Sequence, residues 1–151
     1  MVSFKGSETF TLDQKGRVKF PAKMLKSVPT EANDTFVVTR GLDKCVFAYP
    51  MNVWDDKYTT MFEALNQFDS NHRKFLRWML EWSEEMILDT QQRISIPKEL
   101  LEYAGIVGKV RVIGMMDHIE FWSPEQYEQY RSASTETYEE IVEKVMTTPT
   151  N

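Results

Sequence analysis

The side chains best placed to do chemistry in this 151-residue chain are cations gathered at a turn: Lys15, Arg17 and Lys19 surround Gly16 and follow Asp13. Ammonium and guanidinium groups hold phosphate oxygens, and a guanidinium also matches the acceptor pair on a guanine edge. A glycine at the turn apex lets the backbone approach a partner closely. The Asp and Arg recur four apart at Asp89 and Arg93. Nothing comparable serves catalysis. Cys45 is the single cysteine, and neither His72 nor His118 is joined to it by a local motif, so no nucleophile pair or metal-ligand spacing stands out. Glu81, Glu84 and Glu85 have no accompanying nucleophile and read as solvated surface. The expectation is a chain that is no enzyme, with no metal site, no cofactor and no small-molecule ligand.

The elements that must position these cations are written twice. LDQKGRVKFP at Leu12 to Pro21 matches LDTQQRISIP at Leu88 to Pro97, and FVVTRGLDKCVFAYP at Phe36 to Pro50 aligns without a gap on VRVIGMMDHIEFWSP at Val110 to Pro124. Two matches in the same order indicate a duplicated, strand-rich module. Each copy should open with a hairpin. In the first, Phe10 and Leu12 alternate, Gln14-Lys15-Gly16 turns, and Val18 and Phe20 resume the period of two until Pro21. Met86 and Leu88, then Ile94 and Ile96, repeat the plan before Pro97. Gln92 stands where the first turn has Gly16, so a different or strained second turn is expected.

Beyond each proline a short helix is expected, clearest over Lys98 to Ala104, with Gly105 ending it. Extended segments follow at Thr35 to Thr39, Cys45 to Tyr49, Val110 to Ile113 and Ile119 to Trp122. Ser123-Pro124-Glu125-Gln126 has the form of a capping box opening a helix to about Arg131. Apolar stripes predict further helices over Asn52 to Leu65, His72 to Trp82 and Glu136 to Met146, with Thr147 to Asn151 as a free tail. The organisation read from this is a first repeat over 1–68, a connecting helix over 69–83, a second repeat over 84–131, and a C-terminal helix and tail over 132–151. Repeats this small are expected to share one core.

Charge sharpens the reading. The formal net charge is -5, yet Met1 to Val28 carries six basic residues against two acidic ones, whereas Glu120 to Asn151 carries seven Glu against Arg131 and Lys144. A polyanion responds to the local field, so the first copy is the natural anion-facing surface. Arg17 is a candidate for base edges, Lys15 and Lys19 for phosphates, and Lys5 and Lys23 for outer phosphates. The competing reading is structural: Asp13 with Arg17, and Asp89 with Arg93, pair across each turn and hold it shut. Both roles coexist if Asp orients an Arg that touches phosphate. No run of 18 apolar residues occurs and the start is polar, so a soluble chain is expected. A lone cysteine fits a reducing cytoplasm.

The chain resembles the MraZ family of bacterial transcription regulators. The resemblance rests on the two D-x-x-x-R motifs, on Pro21-Ala22-Lys23, on Thr39-Arg40-Gly41-Leu42-Asp43 leading to Cys45, on Tyr49-Pro50 with Trp54, and on Asp117 with Glu120-Phe121-Trp122-Ser123. It implies a mostly β fold with flanking α-helices, in which two AbrB-like repeats interlock hairpins into a pseudo-symmetric swapped-hairpin β-barrel. It implies a cytoplasmic, nucleoid-associated protein that assembles into a ring-shaped homo-oligomer and binds double-stranded DNA at repeated boxes in its own cell-division and cell-wall operon promoter. Family DNA contacts carry over onto Lys15 and Arg17, with Arg93 matching in the second copy. Gln92 departs from the usual turn glycine, and Leu25 and Leu101 stand where the family often has an arginine. The alternative is an antitoxin-like protein-binding module whose acidic C-terminal helix engages a basic partner.

Overall fold

Alternation of apolar and polar residues, cut by prolines and glycines, gives eight strands in the computed structural model, which describes residues 2–147. The first half contains β1 (Ser7–Thr11), β2 (Arg17–Lys19), α1 (Ala22–Leu25), a single 3-10 turn (Thr30–Ala32), β3 (Thr35–Arg40), β4 (Val46–Pro50) and α2 (Met51–Glu63). After α3 (Ser70–Leu80), the second half repeats the order with β5 (Glu84–Ile87), β6 (Arg93–Ser95), α4 (Lys98–Ala104), β7 (Lys109–Gly114), β8 (Ile119–Trp122) and α5 (Pro124–Ala133), and α6 (Tyr138–Thr147) ends it. Residues 148–151 of the expected tail lie outside the described residues, and Thr147 itself closes α6.

The sheet-rich architecture with flanking helices agrees with the expectation, but the strand partners do not. Six strands lie in the order β1-β7-β8-β4-β3-β5, and β2 pairs with β6 as a separate ribbon. That order reads the same when the two halves are exchanged. β1 pairs with β7 from Ser7↔Ile113 to Thr11↔Lys109, and β5 pairs with β3 from Thr35↔Ile87 to Val38↔Glu84. The strands on either side of each turn therefore pair across halves instead of forming local hairpins. Val18 and Ile94 lie opposite each other in the β2–β6 ribbon, and both are buried. No closed barrel is found among the described residues, because β1 and β5 remain at the edges of the six-stranded sheet.

The period of two sends alternate side chains into two cores. From β4, Val46 and Ala48 enter a main core with Phe4, Phe20, Phe36, Ile94 and Val110, so that core draws on both halves. Phe47 and Tyr49 enter the opposite core with Tyr58, Met79 and Trp122. Cys45 is fully buried there, and burial pushes its thiol well above the ordinary range. Leu25 and Leu101 pack against the main core. His118 stacks on Tyr49 and gives Nδ1 to a 2.8 Å contact with Asp117, while His72 Nδ1 accepts from the Asn66 N–H at 2.9 Å.

α3 and α5 start at side-chain caps. The Asp69 carboxylate accepts from the Asn71 and His72 N–H groups at 2.8 and 3.3 Å, so α3 begins two residues before the apolar stripe suggests. At its other end Trp82 leaves the helix and lies 3.7 Å beneath the Arg40 guanidinium. Ser123 Oγ accepts from the Gln126 N–H at 3.3 Å, as expected of the cap, and Ser123 Oγ also donates to Glu125 Oε2 at 3.1 Å.

Candidate nucleic-acid interface

The pairing of β2 with β6 brings the two D-x-x-x-R turns onto one ribbon. In the first turn the Asp13 N–H donates to the Arg17 carbonyl at 3.0 Å and the Gly16 N–H to the Asp13 carbonyl at 3.1 Å. The second turn has the same two bonds, Asp89 to Arg93 at 3.0 Å and Gln92 to Asp89 at 2.9 Å. Each Asp also takes up the donors inside its turn. Asp13 Oδ1 accepts from the Lys15 and Arg17 N–H groups, both at 2.9 Å, and Oδ2 accepts from Arg17 Nε at 2.7 Å. Asp89 does likewise with Gln91, Arg93 and Arg93 Nε. The Asp at position one of the motif and the Arg at position five are thus a closed unit of backbone and side chain.

The same geometry fixes where the cations point. Lys19 is opposite Arg93 and Arg17 opposite Ser95, while Val18 and Ile94 pair between them. Directly opposed residues share a face, so Arg17, Lys19, Ser95 and Arg93 face outward and Val18 and Ile94 inward to the core. Arg17 and Arg93 keep 29% and 26% of their side-chain surface exposed. Arg93 Nη1 also lies 3.7 Å from Asp13 Oδ2, linking the turns across the ribbon. Lys15 and Lys19 are exposed. The salt-bridge reading of the motif is realised in both copies, in a form that aims each Arg without burying it.

Lys5 and Lys23 come together elsewhere, at a shallow depression shared with Gly6, Ser7, Glu8, Pro21 and Met24. Two cations not singled out from the sequence lie beside β1: Lys109 donates to Thr11 Oγ1 at 2.9 Å and Arg111 to Ser7 Oγ at 3.2 Å. The signal for them is the pairing of β1 with β7, which a strand pattern does not contain.

Gln92 adopts the left-handed conformation of Gly16, with φ of 61° against 76°. The second turn therefore has the expected strain without a different shape. Gln92→Gly should stabilise the protein by about 1 kcal/mol, the usual cost of a side chain in that region. A shift of the urea midpoint to higher denaturant at unchanged slope would show it, and an unchanged or lower midpoint would mean that the Gln92 side chain compensates.

The turn carboxylates also set an acid limit. The Arg17 backbone N–H, with the Arg17 side chain and Lys15 N–H, holds Asp13 below the ordinary carboxylate range against the opposing effect of desolvation, and the Arg93 and Gln91 groups do the same for Asp89. A carboxyl depressed in the folded state contributes stability that is present above its unfolded pKa of about 4 and lost as pH falls through the lower folded value. Thermal unfolding of the wild type should thus be flat near neutrality and decline below about pH 4. Asp13→Asn with Asp89→Asn should unfold at lower temperature at pH 7 and decline less in acid. Parallel profiles for the two proteins would remove the turns from the acid response.

A sequence model described as "MraZ protein, putative antitoxin-like" matches residues 3–78 and again residues 79–147. A protein of Natranaerobius thermophilus named Transcriptional regulator MraZ is 38% identical over 146 residues, covering 95% of this chain and 96% of its own. One of Halothermothrix orenii with the same name is 40% identical over 138 residues, covering 91% and 93%.

Proposed function

The chain belongs to the MraZ family, and from that premise we propose that it is a transcription regulator that binds double-stranded DNA through the β2–β6 ribbon. The family's members named above are transcriptional regulators, not enzymes. The observation that carries the DNA reading is the outward face shared by Arg17, Lys19 and Arg93, with Lys15 and Gly16 at its rim. A two-stranded ribbon fits the major groove. Arg17 then reads a guanine edge, Arg93 takes the matching position of the second half, and Lys15 and Lys19 hold phosphates. Lys5 and Lys23, neighbours at their own depression, extend the phosphate track.

The exchange of β1 and β5 between halves supports reading each copy as a swapped AbrB-like hairpin module, with repeats over 1–68 and 84–131 flanking the connecting helix and sharing the main core. Few cations per chain favour action as a homo-oligomer, a ring in the family's manner, on repeated boxes upstream of the protein's own operon, where effective concentration adds weak contacts together. Such a protein works in the cytoplasm at the nucleoid. No helix among the described residues is long and apolar enough to cross a membrane.

Fluorescence anisotropy on a duplex from the gene's own upstream region, against a shuffled duplex, tests the reading. Tighter binding to the first, weakening steeply from 50 to 200 mM salt, is expected, since each neutralised phosphate releases a counterion. Equal binding to both duplexes would defeat sequence-specific regulation. The antitoxin-like description of the matching model and the acidic, uncovered α6 favour a second reading, a module for a basic protein. It would be preferred if neither duplex bound.

A further inference from the structure

The face of the molecule opposite in character to the ribbon is apolar and open. On α3, Asn71, Lys74, Phe75 and Trp78 follow one another at i, i+3, i+4 and i+7, and with Leu42 from the β3–β4 turn they wall a groove of about 520 Å³ floored by Met79 and Tyr103. Trp78 is 56% exposed and Leu42 78%. Large side chains clustered in this way mark an interaction surface. Cations rim it: Lys74 lines the wall, and Lys44 lies 4.5 Å over the Tyr103 ring.

A matching ligand is present in the same chain. α6 places Tyr138, Ile141, Val142 and Val145 on one stripe, at i, i+3, i+4 and i+7, and three of these are more than 40% exposed. Its flanks carry Glu139, Glu140 and Glu143, all exposed, with Lys144 engaged by Glu136. Both the apolar spacing and the charge signs are complementary: an acidic amphipathic helix faces a cation-rimmed apolar groove, the arrangement of helix-in-groove recognition.

We propose that α6 of one copy docks into the α3–Leu42 groove of a second copy, its apolar stripe against Trp78, Phe75 and Leu42 and its glutamates beside Lys74 and Lys44. The donor and acceptor surfaces differ, so the contact is either returned by the same partner, closing a two-fold dimer, or passed head to tail from copy to copy, closing as a ring. The inference rests on the self-association part of the function proposed above and specifies its interface.

Two full-length chains, one tagged and one not, test it, the first carrying Trp78→Cys and the second Val145→Cys. Cys45 is buried and stays silent. Oxidation should yield a tagged–untagged disulfide at least tenfold above a Trp78→Cys with Glu128→Cys control mixture. The absence of that excess would overturn the proposal, as would a cross-link confined to single chains bearing both cysteines, which would place α6 in its own groove. Ile141→Asp with Val145→Asp alters only exposed side chains and should reduce the assembly to monomer by sedimentation with an unchanged circular dichroism spectrum; an undiminished assembly would also overturn it. The glutamate contact is tested by Lys74→Glu, which should weaken association at least tenfold and be rescued by Glu140→Lys in the other chain, and failure of rescue counts against it. Because these changes leave the ribbon intact, binding to a single-box duplex should stay within twofold of wild type while binding to a multi-box duplex falls at least tenfold. Loss of single-box binding in the wild type would instead be a failure of the DNA reading, separable from the cross-link result.

Discussion

Arg17→Ala should weaken binding to the upstream duplex by roughly 10- to 100-fold, the range expected for loss of one bidentate base contact. The reason lies in how the turn holds the side chain. Asp13 engages Arg17 through Nε at 2.7 Å, which fixes the guanidinium plane in a side chain that stays partly exposed, so little conformational freedom remains to be lost on binding. Arg93→Ala should cost less. Its guanidinium is shared between Asp89 and Asp13, and its turn has Gln91 and Gln92 where the first has Lys15 and Gly16. Lys19→Ala should act differently again, weakening specific and shuffled duplexes alike and reducing the salt slope by about one. Anisotropy titrations at several salt concentrations separate these outcomes. An Arg17→Ala protein that binds within twofold of wild type would reassign the turn to a purely structural role.

Phe20→Ala should be the most damaging change to the fold, at about 3–5 kcal/mol. Phe20 has no exposed surface and lies between Phe4 and Phe36, with ring centroids 6.2 and 5.1 Å away. Its backbone N–H donates to the Gln92 carbonyl at 2.9 Å, so the residue that fills the main core also fastens one end of the ribbon to the opposite turn. A cavity there would loosen the register of Arg17, Lys19 and Arg93 as well as lowering stability. Since a domain of this size is stable by only about 5–15 kcal/mol, the variant should approach unfolding at physiological temperature. Chemical denaturation measures the loss, and a cost below 1 kcal/mol would mean that neighbouring rings close the gap.

What could be read from the sequence divides along physical lines. The duplication was legible because Asp, Arg and Pro each satisfy a local requirement twice: a carboxylate to cap the turn, a guanidinium to close it, and a ring to stop the strand. α4 was legible to the residue, since Gly105 supplies the left-handed end it needs, with φ of 66°, and Ile119 to Trp122 was equally clear. Alternation, however, tells which face a strand residue occupies and not which strand lies beside it. The pairing of β1 with β7, and the open order of the six strands in place of a closed barrel, were hidden for that reason. Gln92 was legible as a mismatch, but only its φ of 61° and the hydrogen bonds that Asp89 accepts within the turn reveal that the turn overrides the preference of its residue. At the interface the sequence marked the cations, and the structure supplied the β2–β6 pairing that places Arg17, Lys19 and Arg93 on one face.

The claim on which the account depends is that this ribbon is the DNA reader. Its most direct test is the double variant Arg17→Ala with Arg93→Ala, confirmed as folded and as assembled as the wild type, titrated against the upstream duplex and the shuffled one. The account predicts that the difference in affinity between the two duplexes disappears, leaving only weak, salt-sensitive binding to both. Retention of wild-type discrimination by the folded double variant would contradict it.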